Sequence, residues 1–241
     1  MIPLFVNERK IMKKLGLVGG TGPESTIPYY RGIVYAVQKQ SGKKEFPPLV
    51  IDSIDVFHVM DYCARKDYTS LTAYLAKSVK NLAAAGAEFA ALTGNTPHIV
   101  FGELARLSPI PLVSIPETAA SWACSRNYKK LALLGTAFTM KEDFFKIPFS
   151  QKQIDLLVPD RYEQDKIQNH IENELELGIK KESTLQYFQQ VISRLKDQGA
   201  EAVILGCTEL PLLLNDTVSP LPCLDTMEIH IEKLVQMIMD R

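Results

Sequence analysis

The sequence predicts an α/β protein made of two similar halves, each with a largely parallel sheet flanked by helices. Three observations predict it. Short apolar runs alternate with segments of helical spacing along the whole chain. Several of those runs end in small-residue turns, as buried parallel strands do where they hand the chain to a helix. One stretch of the first half also recurs, without gaps, in the second.

In chain order, residues 14–20, Lys-Leu-Gly-Leu-Val-Gly-Gly, read as a buried strand entering a tight turn. Thr26 is placed to cap the helix that follows, and Pro28 to sit in its first turn, where a missing N–H costs little. Ile27, Tyr30, Val34 and Val37 then recur at helical spacing. Residues 49–54 read as a strand, 69–85 as a helix stopped by Gly86, and 89–93 as a strand running into Asn95-Thr96-Pro97-His98. Strand and helix alternating in this way imply βαβ units.

The repeat begins at Gly86-Ala-Glu-Phe-Ala-Ala-Leu-Thr-Gly94, which aligns with Gly199-Ala-Glu-Ala-Val-Ile-Leu-Gly-Cys207 at a shift of 113 positions. It extends back through the preceding helix, where Tyr74, Leu75, Val79 and Leu82 meet Tyr187, Phe188, Ile192 and Leu195. Gly16-Leu-Val-Gly-Gly-Thr21 echoes Ala132-Leu-Leu-Gly-Thr136 at a shift of 116. Short α/β segments match by chance often, but the identical Gly-Ala-Glu and the shared apolar stripe favour a duplicated half-protein. Ligands bind at the carboxyl ends of parallel strands, so a pseudo-twofold axis would set Gly94 and Cys207 on either side of one pocket.

Composition narrows the function. The 241 residues include 27 Lys plus Arg against 28 Asp plus Glu, a net charge of −1, so no basic surplus exists to neutralise nucleic-acid phosphates. No apolar run approaches the ~18 residues of a membrane span. Ile2 to Val6 is too short, and followed rather than preceded by its basic residues, for a secretory signal; residues 1–11 read as an extension before Met12. The cysteines, 63, 124, 207 and 223, form no CxxC or CxxH pair, so no metal site is expected and free thiols in a reducing cytoplasm are.

Cys207, in Leu-Gly-Cys-Thr-Glu, sits at a strand-to-helix turn, where free N–H groups and a helix dipole favour the thiolate. It is a candidate base or nucleophile, against the alternative of a small buried hydrophobe; the other three cysteines read as structural. Gly94-Asn95-Thr96-Pro97-His98 is the matching turn, able to hold a carboxylate through amides and hydroxyls or simply to cap a helix, with His98 orienting it. Gly19-Gly-Thr21-Gly lacks both the GK[ST] ending and the GxGxxG spacing of nucleotide loops and reads as a cleft wall.

Taken together, Gly19-Gly20 with Glu24-Ser-Thr-Ile-Pro-Tyr-Tyr-Arg31, Asn95-Thr96-x-His98, Leu134-Gly-Thr136-x-x-Thr139-Met, Gly206-Cys207-Thr208-Glu209 and Asp225-Thr-x-x-x-His230 resemble the aspartate/glutamate racemase family, from residue 12 to the C-terminus. The resemblance implies two Rossmann-like domains, each with a four-stranded sheet: residues 12–112 plus 222–241, and residues 113–221. It implies a cofactor-independent isomerase, a homodimer, and a small amino-acid or dicarboxylate substrate between the domains. Cys207 is then a catalytic acid/base. Asn95, Thr96 and Thr208 match positions that grip the substrate carboxylate, Lys166 the lysine that meets a substrate carboxylate, and Thr21, Thr136 and Thr139 the cleft wall, with His98 and Glu209 supporting. Gly94 stands where the family carries its first catalytic cysteine, so return of a proton from that side is in question. A single thiol facing glycine is instead the arrangement of the related arylmalonate decarboxylases, and a non-catalytic carboxylate-binding protein is a third possibility.

Overall fold

Gly-Ala-Glu, the signature of the repeat, organises the same corner in each half. Gly86 and Gly199 take left-handed φ values of 86° and 96°, stopping a helix where a side chain would be strained. Two residues on, Glu88 Oε1 accepts from the Lys14 N–H at 2.8 Å, and Glu201 Oε2 accepts from the Lys129 N–H at 3.1 Å. Each glutamate thereby ties its own strand to the start of the neighbouring one.

The computed structural model describes residues 12–240, and the extension expected at 1–11 lies outside them. The first half runs β1 (Leu15–Gly19), α1 (Pro23–Ser41), β2 (Leu49–Ser53), α2 (Val56–Ala64), α3 (Tyr68–Ala84), β3 (Phe89–Leu92), α4 (Phe101–Leu107) and β4 (Leu112–Val113), and α5 (Ile115–Ser125) leads from it to pack on the second sheet. The second runs β5 (Lys130–Leu134), α6 (Ala137–Lys141), α7 (Asp143–Ser150), β6 (Asp155–Leu157), α8 (Arg161–Asn173), α9 (Glu182–Asp197), β7 (Val203–Leu205), β8 (Cys223–Asp225) and α10 (Thr226–Met239). Two four-stranded sheets result, ordered β2-β1-β3-β4 and β6-β5-β7-β8, with every pairing parallel. Val18 pairs with Leu92 and Leu134 with Leu205, so both sequence shifts, 116 and 113, converge on one register.

Strand alternation sends successive side chains to opposite layers. Val18, Ala90 and Leu92 face Leu71, Leu75, Val79 and Leu82 of α3, while Leu15, Leu17, Phe89 and Ala91 face Tyr29, Ile33 and Val37 of α1 with Leu234, Val235 and Ile238 of α10. In the second sheet, Leu134, Val203 and Leu205 meet Ile167, Ile171, Phe188 and Ile192, and Leu131, Leu133 and Ile204 meet Ala119, Ala123, Phe145 and Phe149. Each fully buried Leu, Ile or Phe among these contributes about 1.5–3 kcal/mol of transfer free energy. The returning C-terminal segment is divided: Cys223–Asp225 completes the second sheet before α10 packs against α1.

The first helix departs from expectation. It starts at Pro23 behind a Gly22 cap with φ 119°, so Thr26 lies inside it and Pro28 beyond its first turn. Thr26 instead accepts from the Gly20 N–H at 3.0 Å, closing the turn after β1, and Ile27 and Tyr30 face outward. Among the described residues no helix is long and apolar enough to cross a membrane.

Two buried histidines lock the layers. The Tyr29 hydroxyl donates to His230 Nδ1 at 2.8 Å, leaving Nε2–H to donate to the Val113 carbonyl at 3.2 Å. His98 accepts from the Ile115 N–H at 3.1 Å and faces the Gly94 carbonyl through Nδ1 at 3.0 Å. Burial lowers His98 to about 4 and His230 to about 3, so both are neutral at pH 7. The unfolded chain takes up these protons below about pH 6.5 and the folded chain does not, so stability is complete above that pH and lost as pH falls towards 4. Asp225, raised by burial to about 6, acts in the opposite sense over part of that window but offsets only one histidine. Urea midpoints are expected to fall steadily from pH 7 to 4.5, and His230→Gln to flatten the fall; a flat profile for the natural protein would contradict this.

Candidate active site

Four turns at the carboxyl ends of β1, β3, β5 and β7 converge on a cavity of about 550 Å³ between the two sheets. The first-half turns bring Thr21, Gly94, Asn95 and Thr96; the second-half turns bring Thr136, Thr139, Cys207, Thr208 and Glu209. A second, open hollow of about 630 Å³ between α5 and α10 shares no lining residue with it.

Asn95 crosses the floor: its Nδ2 donates to the Gly206 carbonyl at 2.9 Å, joining the ends of β3 and β7. Its Oδ1 is buried without a partner, and an unsatisfied buried acceptor costs about 1–3 kcal/mol. Asn95 therefore links the two halves while keeping an acceptor unused.

The first-half turns bring no titratable side chain to the described lining. Thr21 Oγ1 lies 3.1 Å from Ser25 Oγ and 3.0 Å from Thr93 Oγ1. Thr93 is fully buried and bonds the Val18 carbonyl at 3.1 Å, so it does not replace the absent cysteine. At Gly94 the backbone is outside the left-handed region, yet an added Cβ would stand 3.0 Å from Thr21 Oγ1 and 3.1 Å from Thr21 Cβ. Thr21 fills the space that a side chain at 94 would need.

The opposite face carries a thiol and a carboxylate. Cys207 Sγ donates to Glu209 Oε2 at 2.7 Å, and the Thr208 hydroxyl donates to Glu209 Oε1 at 2.9 Å. Only a single 3-10 turn, Leu210–Leu212, follows, so the helix dipole expected to favour the thiolate is missing. Burial first, then the adjacent Glu209 and the more distant Glu176, hold the thiol well above the ordinary cysteine range. Cys207 rests as a neutral thiol beside a built-in proton acceptor, a correction to the thiolate expected from sequence. Alkylation by iodoacetamide is expected to be slow at pH 7 and still accelerating above pH 9, with substrate protection identifying the Cys207 adduct; a rate already at plateau at pH 8 would refute the protonated thiol.

Thr136 accepts from the Thr139 N–H at 3.3 Å and caps α6. His98 stands behind the wall, positioning the Gly94 turn. Lys166 does not join the cavity lining: it is exposed on α8 with Nζ 4.6 Å from the centre of the Tyr162 ring and 5.5 Å from that of Tyr187. The residues that α8 and the turn after it do present are Gln168, Glu172 and Glu176. Gln168 and Glu172, at i, i+4 spacing, share one face of α8, and Glu176 follows in the 3-10 turn after the helix has ended. Gln168 Oε1 accepts from the Ala137 N–H at 2.6 Å while its Nε2 donates to Glu172 Oε1 at 2.6 Å, fixing that carboxylate. The remaining cysteines, all free, lie outside the lining.

Two four-stranded parallel sheets flanked by helices match the two-domain fold of racemases. The chain belongs to the Asp/Glu/hydantoin racemase family, whose model matches residues 18–234. It is similar to the broad specificity amino-acid racemase RacX of Bacillus subtilis, 24% identical over 223 residues, covering 88% of this chain and 92% of that one. Among solved structures it resembles a Yersinia pestis protein described as a candidate Asp/Glu racemase (TM-score 0.90, 32% identity, 95% of this chain and 100% of the other). It also resembles an aspartate racemase homologue from Pyrococcus horikoshii (TM-score 0.83, 33% identity, again 95% and 100%).

Proposed function

We propose that the protein is an amino-acid racemase-family enzyme that removes and returns the Cα proton of a free amino acid from one face, through Cys207. The observation that carries this is the Cys207–Glu209 hydrogen bond at 2.7 Å, set opposite first-half turns that bring Thr21, Gly94, Asn95 and Thr96 and, among the described residues, no titratable side chain. The substrate α-carboxylate fits at the turns of Asn95, Thr96 and Thr208, where backbone N–H groups and the Thr96 hydroxyl stabilise the enediolate that forms as the proton leaves; the Asn95 amide and the Thr208 hydroxyl are already donated to the Gly206 carbonyl and to Glu209.

The steps balance as follows. Glu209 takes the thiol proton, and the resulting thiolate removes the Cα proton, leaving the electron pair delocalised into the carboxylate. The S–H bond then returns a proton to Cα, and Glu209 gives its proton back to sulfur or to solvent. Return from the same face restores the same enantiomer, so inversion requires a donor on the Gly94 side. A cofactor is not invoked, and the family's racemase activity and RacX's broad specificity support the choice of amino acids. A single thiol opposite glycine also suits an arylmalonate-type decarboxylase, but a doubly negative substrate fits poorly beside Glu172, Glu176 and Glu209.

Proton NMR in deuterium oxide tests the proposal. For one enantiomer of a turned-over amino acid, the Cα–H signal is expected to disappear with retention about tenfold faster than the opposite enantiomer accumulates. Equal rates of exchange and interconversion from both enantiomers would overturn it.

A further inference from the structure

A cluster of hydroxyls meets on the Gly94 side of the cavity. Thr21 Oγ1 lies 3.1 Å from Ser25 Oγ and 3.0 Å from Thr93 Oγ1, and those two hydroxyls also reach the Gly22 and Val18 carbonyls at 3.0 and 3.1 Å. Ser25 and Thr93 are buried, whereas Thr21 is only partly buried and lines the cavity. A hydroxyl oxygen offers one hydrogen and two lone pairs. The wall uses two of these directions at Thr21. The remaining one is left on the cavity side, where a Cβ at position 94 would stand 3.0 Å from Oγ1.

This cluster cannot by itself supply a proton to an enediolate. Behind Ser25 and Thr93 lie the backbone carbonyls of residues 22 and 18, so no titratable group feeds the chain. A threonine hydroxyl that gave up its hydrogen would be left as an alkoxide. What the cluster can do is hold a water and change the sense of its own hydrogen bonds. While Thr21 accepts from the water, its hydrogen points to Ser25 or Thr93. When that hydrogen turns outward, one from Ser25 or Thr93 takes its place, because the Gly22 and Val18 carbonyls also accept from the Thr26 and Thr93 N–H groups, each at 3.1 Å.

Resting on the Cα-proton chemistry above, we propose that Thr21 is the positioning residue of the second face, holding a water whose free hydrogen is returned to Cα from the Gly94 side. Cys207 removes the Cα proton as described. One O–H bond of the water then breaks, its proton forms the new C–H bond with the electron pair of the enediolate, and hydroxide is left. Thr21 turns to donate to that hydroxide as its charge develops. The proton that Glu209 took from the thiol leaves to solvent and neutralises it. Water is a far weaker acid than a thiol, so this return is slower than return from Cys207 and interconversion trails exchange.

The test uses the common amino acid whose Cα–H exchanges fastest in deuterium oxide. Proton NMR follows exchange and chiral chromatography follows interconversion, starting from each enantiomer. Thr21→Val keeps the volume and removes the hydroxyl, and is expected to lower the ratio of interconversion to exchange by about fivefold or more. Thr21→Ser keeps the hydroxyl and drops the methyl, and should hold that ratio within about twofold. A threonine that merely fills space gives the opposite order: no change with valine, and a rise with serine as the face opens. Thr21→Ser therefore decides the matter even if the valine variant fails to fold. An unchanged ratio in Thr21→Val, a rise beyond twofold in Thr21→Ser, or exchange by the natural protein with no interconversion overturns the role of Thr21 and leaves the Cα chemistry standing. No exchange of any common amino acid by the natural protein overturns the Cα chemistry and this inference with it.

Discussion

Cys207→Ala is expected to abolish Cα–H exchange, by about 10³-fold or more, while leaving the fold unchanged. General acid–base catalysis by a positioned group accounts for roughly 10²–10⁴-fold, and in the proposed mechanism Glu209, the carboxylate beside the thiol on that face, acts on the substrate only through the sulfur. Alanine leaves space at a cavity wall, where Cys207 is only partly buried, so thermal midpoints should barely move. Cys207→Ser is the sharper version. It preserves the hydrogen bond to Glu209 and the shape of the turn, yet replaces the thiol with a far weaker acid, and it should be equally silent. Full activity in either variant would remove Cys207 from the mechanism.

Gly94→Cys is expected to raise enantiomer interconversion relative to same-face exchange, because it restores an acid/base at the position related by pseudo-symmetry to Cys207. The gain depends on Thr21. With Oγ1 and Cβ of Thr21 only 3.0 and 3.1 Å from the new Cβ, the threonine must yield by a few tenths of an ångström. Adding Thr21→Ala removes its hydroxyl and methyl, and the double variant should show the larger effect, about tenfold or more in interconversion. Rapid symmetrical racemisation by the natural protein, with no gain in either variant, would mean that another group already serves as the second base.

Much of the frame was legible because one set of residues served both local and global structure. Gly86 and Gly199 stop helices, Glu88 and Glu201 tie strands, and their recurrence announced the duplication before any coordinates. The start of α1 was misplaced because Thr26 and Pro28 look like a helix entry, whereas Gly22 and Pro23 supply it and Thr26 closes the turn behind. The thiol's state was missed for a different reason. A dipole follows from sequence only if a full helix forms, and here Glu209 bends back onto the sulfur before a single 3-10 turn. The resemblance points to Lys166, whereas α8 and its following turn line the cavity with Gln168, Glu172 and Glu176. Gln168 and Glu172 share a face of α8 that Lys166, two positions off, does not, and Glu176 reaches the cavity from the turn that follows.

The Asn95 bond to the Gly206 carbonyl also sets how the molecule can breathe. A tie at the bottom of the cleft makes that point a fulcrum. Relative rotation of the sheets that preserves it leaves Cys207 and Gly94 at nearly constant separation while swinging α8 and α2, farther out, through larger arcs. In the proposed mechanism, admission of a substrate and the geometry of proton transfer are then decoupled, because a rotation that keeps the Asn95–Gly206 bond widens the entrance while holding residues 94 and 207 together.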